Sequence, residues 1–284
     1  MTRLRRAAAL GAALSLIGLT GCEEVTSLHL DPLSTQGRNG NAPVVTYEAI
    51  MHVAGASRSG GDYANAISMY RHAAKMEPLR PEPLIALGDT LLEMGQANEA
   101  VLNYNAALSA NPRSPEALRG LAKAYLKTGR PDLAGSPLAA AYQDTPNDPK
   151  LLMLIGVADD FIGRHEDAQG RYAQALKLAP ADRAVSLDLA LSLALSERYG
   201  EAVGLLLPIV RGPGATPRER QTLALIYGIK GDQGAARQLA LVDLDPASAD
   251  HNLAFYESLR RLSPDARSRA VLSASAAQRV APSL

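Results

Sequence analysis

The sequence predicts an all-α protein built as a solenoid of repeated helical hairpins, and three observations point to it. Alanine recurs every 34 residues through most of the chain, and further alanine, proline and glycine series follow the same step. The chain is 47% hydrophobic but only 4% aromatic, with no tryptophan. A core filled mainly by alanine and leucine favours closely packed helices over sheets, which draw on β-branched and aromatic side chains. The fixed step indicates stacked copies of one small unit.

Each series has a physical role in a helical hairpin. A small residue lets two helices approach closely, a glycine near the middle suits a helix end in the left-handed region, and a proline ends the second helix. The first alanine series is Ala66, Ala100, Ala134, Ala168, Ala202 and Ala236. The others are Ala73, Ala107, Ala141 and Ala175; Pro78, Pro112, Pro146 and Pro180; and Gly61, Gly95, Gly129, Gly163 and Gly231, with Glu197 in the place of one glycine.

The windows defined by these series resemble the tetratricopeptide repeat, a 34-residue helix–turn–helix unit. Residues 81–114 carry the pattern as Leu84, Leu87, Gly88, Leu91, Ala100, Tyr104, Ala107 and Pro112. The match weakens towards the C-terminus, where Leu206 and then Ala240 take the aromatic position. The resemblance implies a right-handed superhelix of about six repeats over residues 46–250. Apolar spacing around Phe255 predicts a capping helix at 251–262, because a terminal repeat otherwise exposes an apolar side. Residues 263–284 are expected to form a short helix or a disordered tail.

The N-terminus has the features of an export signal followed by an anchor. Basic residues precede an apolar run at 7–19 that is shorter than the roughly 20 residues of a membrane-spanning helix, so residues 1–21 are predicted to be a signal peptide. Leu19-Thr20-Gly21-Cys22 resembles the bacterial lipobox, which implies that Cys22 is lipidated; the alternative is an ordinary signal peptide beside a free cysteine. Residues 22–45 contain glycine and proline without apolar periodicity, which predicts a flexible tether. Glu23 after the cysteine favours a periplasm-facing location at the outer membrane over the inner membrane.

The sequence offers no recognisable catalytic, metal or cofactor chemistry. The net charge is zero, which supplies no general field for binding nucleic acid. A single cysteine excludes intramolecular disulfides and cysteine-rich metal sites, and the five histidines show no metal-ligand spacing. The sequence contains neither a Gly-x-Ser-x-Gly nucleophile elbow nor a phosphate loop. We therefore predict a protein without cofactor, metal or small-molecule substrate that is not an enzyme, although a Ser–His–Asp arrangement assembled by folding stays open.

The repeat family's binding mode predicts where a partner would sit. In such proteins the first helix of each repeat lines a concave groove. Matched positions in this sequence change from charged in the second and third repeats to apolar in the later ones, and such a trough suits an amphipathic or extended peptide. Either a partner segment or the chain's own C-terminal helix would occupy it. The predicted groove residues are Glu82, Asp89, Arg119, Lys123, Lys127, Met153, Val157, Phe161, Leu187, Leu191, Leu195, Leu225 and Ile229.

The combination of lipobox, tether, repeats and a closing Asn252-Leu253-Ala254-Phe255-Tyr256 segment resembles the TadD component of tight-adherence (Flp) pilus systems. That resemblance implies a pilotin or assembly factor whose partner is a secretin subunit or another pilus assembly protein. Two alternatives stay open: a scaffold for polysaccharide export or cell-wall machinery, and an enzyme with an unrecognised site.

Overall fold

The computed structural model describes residues 46–278, with side chains up to residue 274. The predicted signal peptide, the lipidation site Cys22 and the tether therefore lie outside the described residues. No helix between residues 46 and 278 is long and apolar enough to cross a bilayer.

The described residues form fourteen α-helices and contain no strand, which confirms the all-α prediction. The first twelve helices are arranged in six pairs that coincide with the six 34-residue windows. The pairs are α1 (Tyr47–Ser59) and α2 (Tyr63–Met76), α3 (Glu82–Glu93) and α4 (Ala97–Ala110), α5 (Pro115–Lys127) and α6 (Pro131–Asp144), α7 (Pro149–Phe161) and α8 (His165–Leu178), α9 (Arg183–Leu195) and α10 (Tyr199–Arg211), and α11 (Pro217–Lys230) and α12 (Gln233–Ala240). Two further helices follow, α13 (Pro246–Arg260) and α14 (Pro264–Gln278).

Local sequence fixes where the first helices of the repeats begin. Ser114, Asp148 and Asp182 stand immediately before α5, α7 and α9, and each side chain accepts a hydrogen bond from a backbone N–H of the first turn. Such a cap satisfies a donor that has no partner within the helix. A proline opens α5, α7 and α11, where its fixed φ suits the first helical position and its missing N–H costs nothing.

Small residues at the repeat positions let the helices pack closely. All six members of the first alanine series are fully buried. Glycines of the first helices lie directly against buried tyrosine rings, so that a Cβ on Gly156 would come within 2.6 Å of Tyr172 Cε1. The aromatic ring therefore fills the space that the absent side chain leaves. This contact explains the paired glycine and tyrosine positions of the second and fourth repeats.

The turn between the two helices of a repeat has the same left-handed backbone conformation along the solenoid. Gly95 and Gly163 have φ values of 78° and 81°, and the same left-handed region is used by the other glycines of the series. Glu197 occupies this position in the fifth repeat with a φ of 62°. A left-handed conformation costs a residue with a Cβ roughly 1–2 kcal/mol, so the surrounding helices impose the turn even where glycine is missing.

The C-terminal helices have separate roles. Helix α12 has only 8 residues, in line with the weakened sixth repeat, and α13 packs against both α11 and α12 to close the end of the solenoid. The predicted capping helix at 251–262 corresponds to α13, which begins earlier, at Pro246. Helix α14 then turns back and contacts α5, α7 and α9.

Candidate peptide-binding groove

The first helices of repeats two to five share one face of the solenoid, and that face contains a cavity of about 550 Å³. Its walls come from α3, α5, α7 and α9, and from Leu272 on α14. Eight of the thirteen residues predicted for the groove line this cavity: Asp89, Arg119, Lys123, Lys127, Met153, Val157, Phe161 and Leu191. The repeat register therefore places these side chains together, as the sequence predicts.

The remaining predicted groove residues lie elsewhere. Leu187 and Leu225 line a second cavity of about 590 Å³ between α9, α11, α13 and α14, which Leu191 also borders. Leu195 and Ile229 are core residues with exposures of 2% and 3%. Glu82 is exposed at the N-terminal side, outside both cavities. The prediction of one continuous apolar trough to Ile229 is therefore corrected.

The reason for the correction is helix α14, which covers the apolar part of the groove. Val271 and Leu272 are buried and join one hydrophobic cluster with Leu187, Leu191 and Leu195. Leu272 faces the first cavity and Val271 borders the second. The chain's own C-terminal helix thus occupies this part of the groove, and the charged part remains open.

A buried carboxylate organises the floor of the first cavity. Asp160, at the end of α7, is 1% exposed. It accepts hydrogen bonds from the Tyr172 hydroxyl at 2.9 Å and from Ser192 Oγ at 2.7 Å. The Nδ1 atom of His165 lies 2.7 Å from Asp160 Oδ1. Several donors satisfy the carboxylate, as a buried acid requires.

The same histidine connects the floor to α14. Its Nε2 atom lies 3.1 Å from Ser268 Oγ. In the tautomer that carries its proton on Nδ1, the ring donates to Asp160 and accepts from the Ser268 hydroxyl through Nε2. The order Asp160–His165–Ser268 matches that of a hydrolase triad, but Ser268 is only 3% exposed and borders neither large cavity. Its evident role in the fold is to fasten α14.

Arg267 holds the same helix through a second set of contacts. Its guanidinium is buried and donates to Glu197 and Tyr199 and to the carbonyl oxygens of Leu259 and Leu262. Glu197 is the residue that adopts the left-handed backbone conformation at the turn of the fifth repeat. Helix α14 is therefore held by specific polar contacts as well as by its two large apolar side chains.

At the opposite end of the cavity, Asp89 connects the groove to the second and first repeats. It accepts a hydrogen bond from the Tyr104 hydroxyl at 2.6 Å and lies 3.7 Å from Arg58. Burial raises the pKa of Tyr104, so its hydroxyl keeps its proton and acts as a donor to the carboxylate. Arg119, which also lines the cavity, forms an ion pair with Asp148, the residue that caps α7.

Sequence reasoning missed the contribution of α14, namely Arg267, Ser268 and Leu272. These residues fall in a segment rich in serine, alanine and arginine whose apolar spacing is weak. The pairing of His165 with Ser268 spans 103 residues of chain, which no local pattern reports. Among residues 46–278, no three histidine, cysteine, aspartate or glutamate side chains are grouped so that they could hold a metal ion.

Comparison with known proteins agrees with this architecture. A model of the tetratricopeptide repeat matches residues 85–149 and 156–215. No curated protein matches the chain. Several solved structures do, each at a sequence identity that shows the fold alone.

A tetratricopeptide repeat protein from Parabacteroides merdae is similar with a TM-score of 0.61 at 17% identity, over 82% of this chain and 93% of that one. The protein pilF of Pseudomonas aeruginosa is similar with a TM-score of 0.57 at 19% identity, over 81% and 97% of the two chains. A chain of the Cut9–Hcn1 hetero-tetramer of the APC/C has a TM-score of 0.65 at 17% identity, and 43% of its length is covered. The fold is a tetratricopeptide-repeat solenoid.

Proposed function

We propose that this tetratricopeptide-repeat protein is a lipid-anchored scaffold of the bacterial envelope that binds another envelope protein in the cavity between its first helices. The observation that carries the proposal is the open cavity itself, which is lined by α3, α5, α7 and α9 and bordered by both charged and apolar side chains. Groove positions of this kind suit an inserted peptide segment, because apolar pockets supply affinity and polar groups fix orientation.

The anchor is the second part of the proposal. The lipobox-like Leu19-Thr20-Gly21-Cys22 places a diacylglycerol and an acyl chain on Cys22, and two or more chains give stable membrane attachment. With Glu23 after the cysteine, we place the protein on the periplasmic face of the outer membrane. The tether at 22–45 would let the solenoid reach a partner while it stays attached.

The partner we propose is a secretin subunit of a tight-adherence pilus system, in line with the resemblance to TadD. In this role the protein is an assembly factor that carries the secretin to the outer membrane. No described feature requires the protein to react with its partner, since binding and a lipid anchor suffice for delivery.

The test compares secretin multimers in cells that carry single substitutions. Cys22→Ala removes the anchor, and Met153→Glu places a charge in the cavity, so both are expected to lower multimer abundance and piliation. Leu102→Glu is the matched control, because Leu102 lies on α4 and is 69% exposed outside the cavity. Normal multimers and normal piliation in both the Cys22 and the Met153 variants would contradict the pilotin role.

A further inference from the structure

The carboxylates and the lysines that border the first cavity differ in whether they have a partner within the chain. Five carboxylates line it, and each has a partner within the chain. Asp89 and Asp160 accept hydrogen bonds from buried side chains, Asp182 caps the start of α9, and Glu116 and Asp188 each lie within 4.0 Å of an arginine. A nearby arginine offsets much of the charge of Asp89, Glu116 and Asp188, and the positive N-terminal end of α9 offsets part of that of Asp182.

Two lysines on the same cavity have no such partner. Lys123 on α5 and Lys150 on α7 both border the cavity and are exposed. Neither ammonium group forms an ion pair or a hydrogen bond with a side chain of the described residues. The ammonium groups of Lys123 and Lys150 are therefore available to pair with the carboxylates of a ligand.

The rest of the cavity has an apolar character and a limited size. Met153, Leu154 and Val157 on α7 and Leu272 on α14 supply apolar walls. Its volume of about 550 Å³ lies within the roughly 300–1,000 Å³ of ordinary ligand pockets. A whole helix with side chains is roughly 10–12 Å across, so a cavity narrowed by α14 fits a few extended residues better than a second helix.

We propose that this cavity binds a short extended peptide that carries a large apolar side chain next to one or more carboxylates. The apolar side chain packs against α7 beside Leu272, and the carboxylates meet Lys123 and Lys150. Helix α14 stays in place as a wall, because Ser268 and Arg267 fasten it. The inference rests on the proposed function, since it names the chemistry of the segment that the envelope partner inserts.

The experiment selects random peptides displayed on phage against the full chain in detergent micelles. Synthetic copies of the selected peptides are then titrated by fluorescence anisotropy against the wild type and two double variants. Lys123→Glu/Lys150→Glu reverses both cavity charges. Lys75→Glu/Lys177→Glu makes the same change in net charge on exposed lysines of α2 and α8, which lie outside the cavity.

We expect the selected peptides to be enriched in aspartate and glutamate next to leucine, methionine or phenylalanine. Their affinity should fall about tenfold in the cavity variant and stay unchanged in the control, and it should weaken with added salt because the charges are near the surface. A selection without binders, without an acidic bias, or with equal affinity for the two double variants would overturn the proposal.

The results that would contradict the proposed function differ from those that would contradict the peptide chemistry. If Met153→Glu abolishes secretin multimers in cells while the selected peptides show no acidic preference, the scaffold role stands and only the partner chemistry is wrong. If the acidic peptides bind as expected and Met153→Glu leaves the multimers intact, the cavity has the stated chemistry and a secretin is not its partner.

Discussion

Replacing Gly156 with alanine tests how closely the repeats pack beneath the groove. A Cβ at this position would lie 2.6 Å from Cε1 and 2.8 Å from Cζ of Tyr172. The ring is almost fully buried, and its hydroxyl donates to Asp160 at 2.9 Å. The ring therefore has two responses, to stay and be compressed or to move and give up its hydrogen bond.

Both responses cost free energy of similar size. Overpacking in a filled core costs about 1–3 kcal/mol. A lost hydrogen bond to a charged acceptor costs about 1.5–3 kcal/mol. Alanine is intrinsically better than glycine inside a helix by roughly 0.5–1 kcal/mol, which offsets part of either cost. The expected net loss in the free energy of unfolding is about 1–2 kcal/mol.

The matched control is Gly170→Ala in α8, where no atom lies within 4 Å of the added Cβ. The control should gain about 0.5–1 kcal/mol because only helix propensity changes. Urea denaturation followed by far-ultraviolet circular dichroism measures both variants. Equal stability of the two variants would refute the proposed tight contact between Gly156 and Tyr172.

Three further predictions concern buried groups and α14. Leu191→Glu should destabilise the protein by about 4 kcal/mol or more, measured by urea denaturation, because it buries an unpaired charge in the core beneath α14. Arg267→Ala should increase amide hydrogen exchange throughout α14 while α5 to α8 stay protected. The control Arg269→Ala, on the exposed side of the same helix, should leave the exchange of α14 unchanged. The hydrogen bond from Arg220 holds the pKa of Asp243 below its ordinary value, so this contact stabilises the fold above about pH 4 and is lost as the pH falls through the lowered pKa. Arg220→Met should accordingly lower the urea midpoint at pH 7 and show a smaller deficit at pH 3.

Most of the solenoid could be predicted from the sequence because one 34-residue register sets the contacts within and between its helix pairs. The spacing places a small residue and a turn in each pair, as Ala168 and Gly163 do in the fourth repeat, where Tyr172 adds a filling ring. Helix bounds and the cavity-lining side of α5 and α7 therefore follow from local patterns. Glu197 shows how strong this register is, since the left-handed turn persists without glycine.

The position of α14 could not be predicted in the same way. Val271 and Leu272 are the large apolar residues in its sequence and both are buried, but two are too few to define a face by periodicity. The contacts that fix it, Arg267 with Glu197 and Ser268 with His165, join residues that are 70 and 103 positions apart. They depend on the assembled solenoid, which is why the sequence left open whether the chain's own end fills the groove.

The proposed function requires that a protein partner inserts a segment into the cavity between the first helices. The most direct measurement places a photo-crosslinking amino acid at Met153, inside the cavity, or at Leu102, outside it, in cells that make the secretin. We expect a crosslink to a secretin subunit from position 153 that weakens strongly when Lys123 and Lys150 are both replaced by glutamate, and none from position 102. A secretin crosslink from position 102 alone, or one from position 153 that survives the charge reversal undiminished, would contradict insertion of the partner at this cavity.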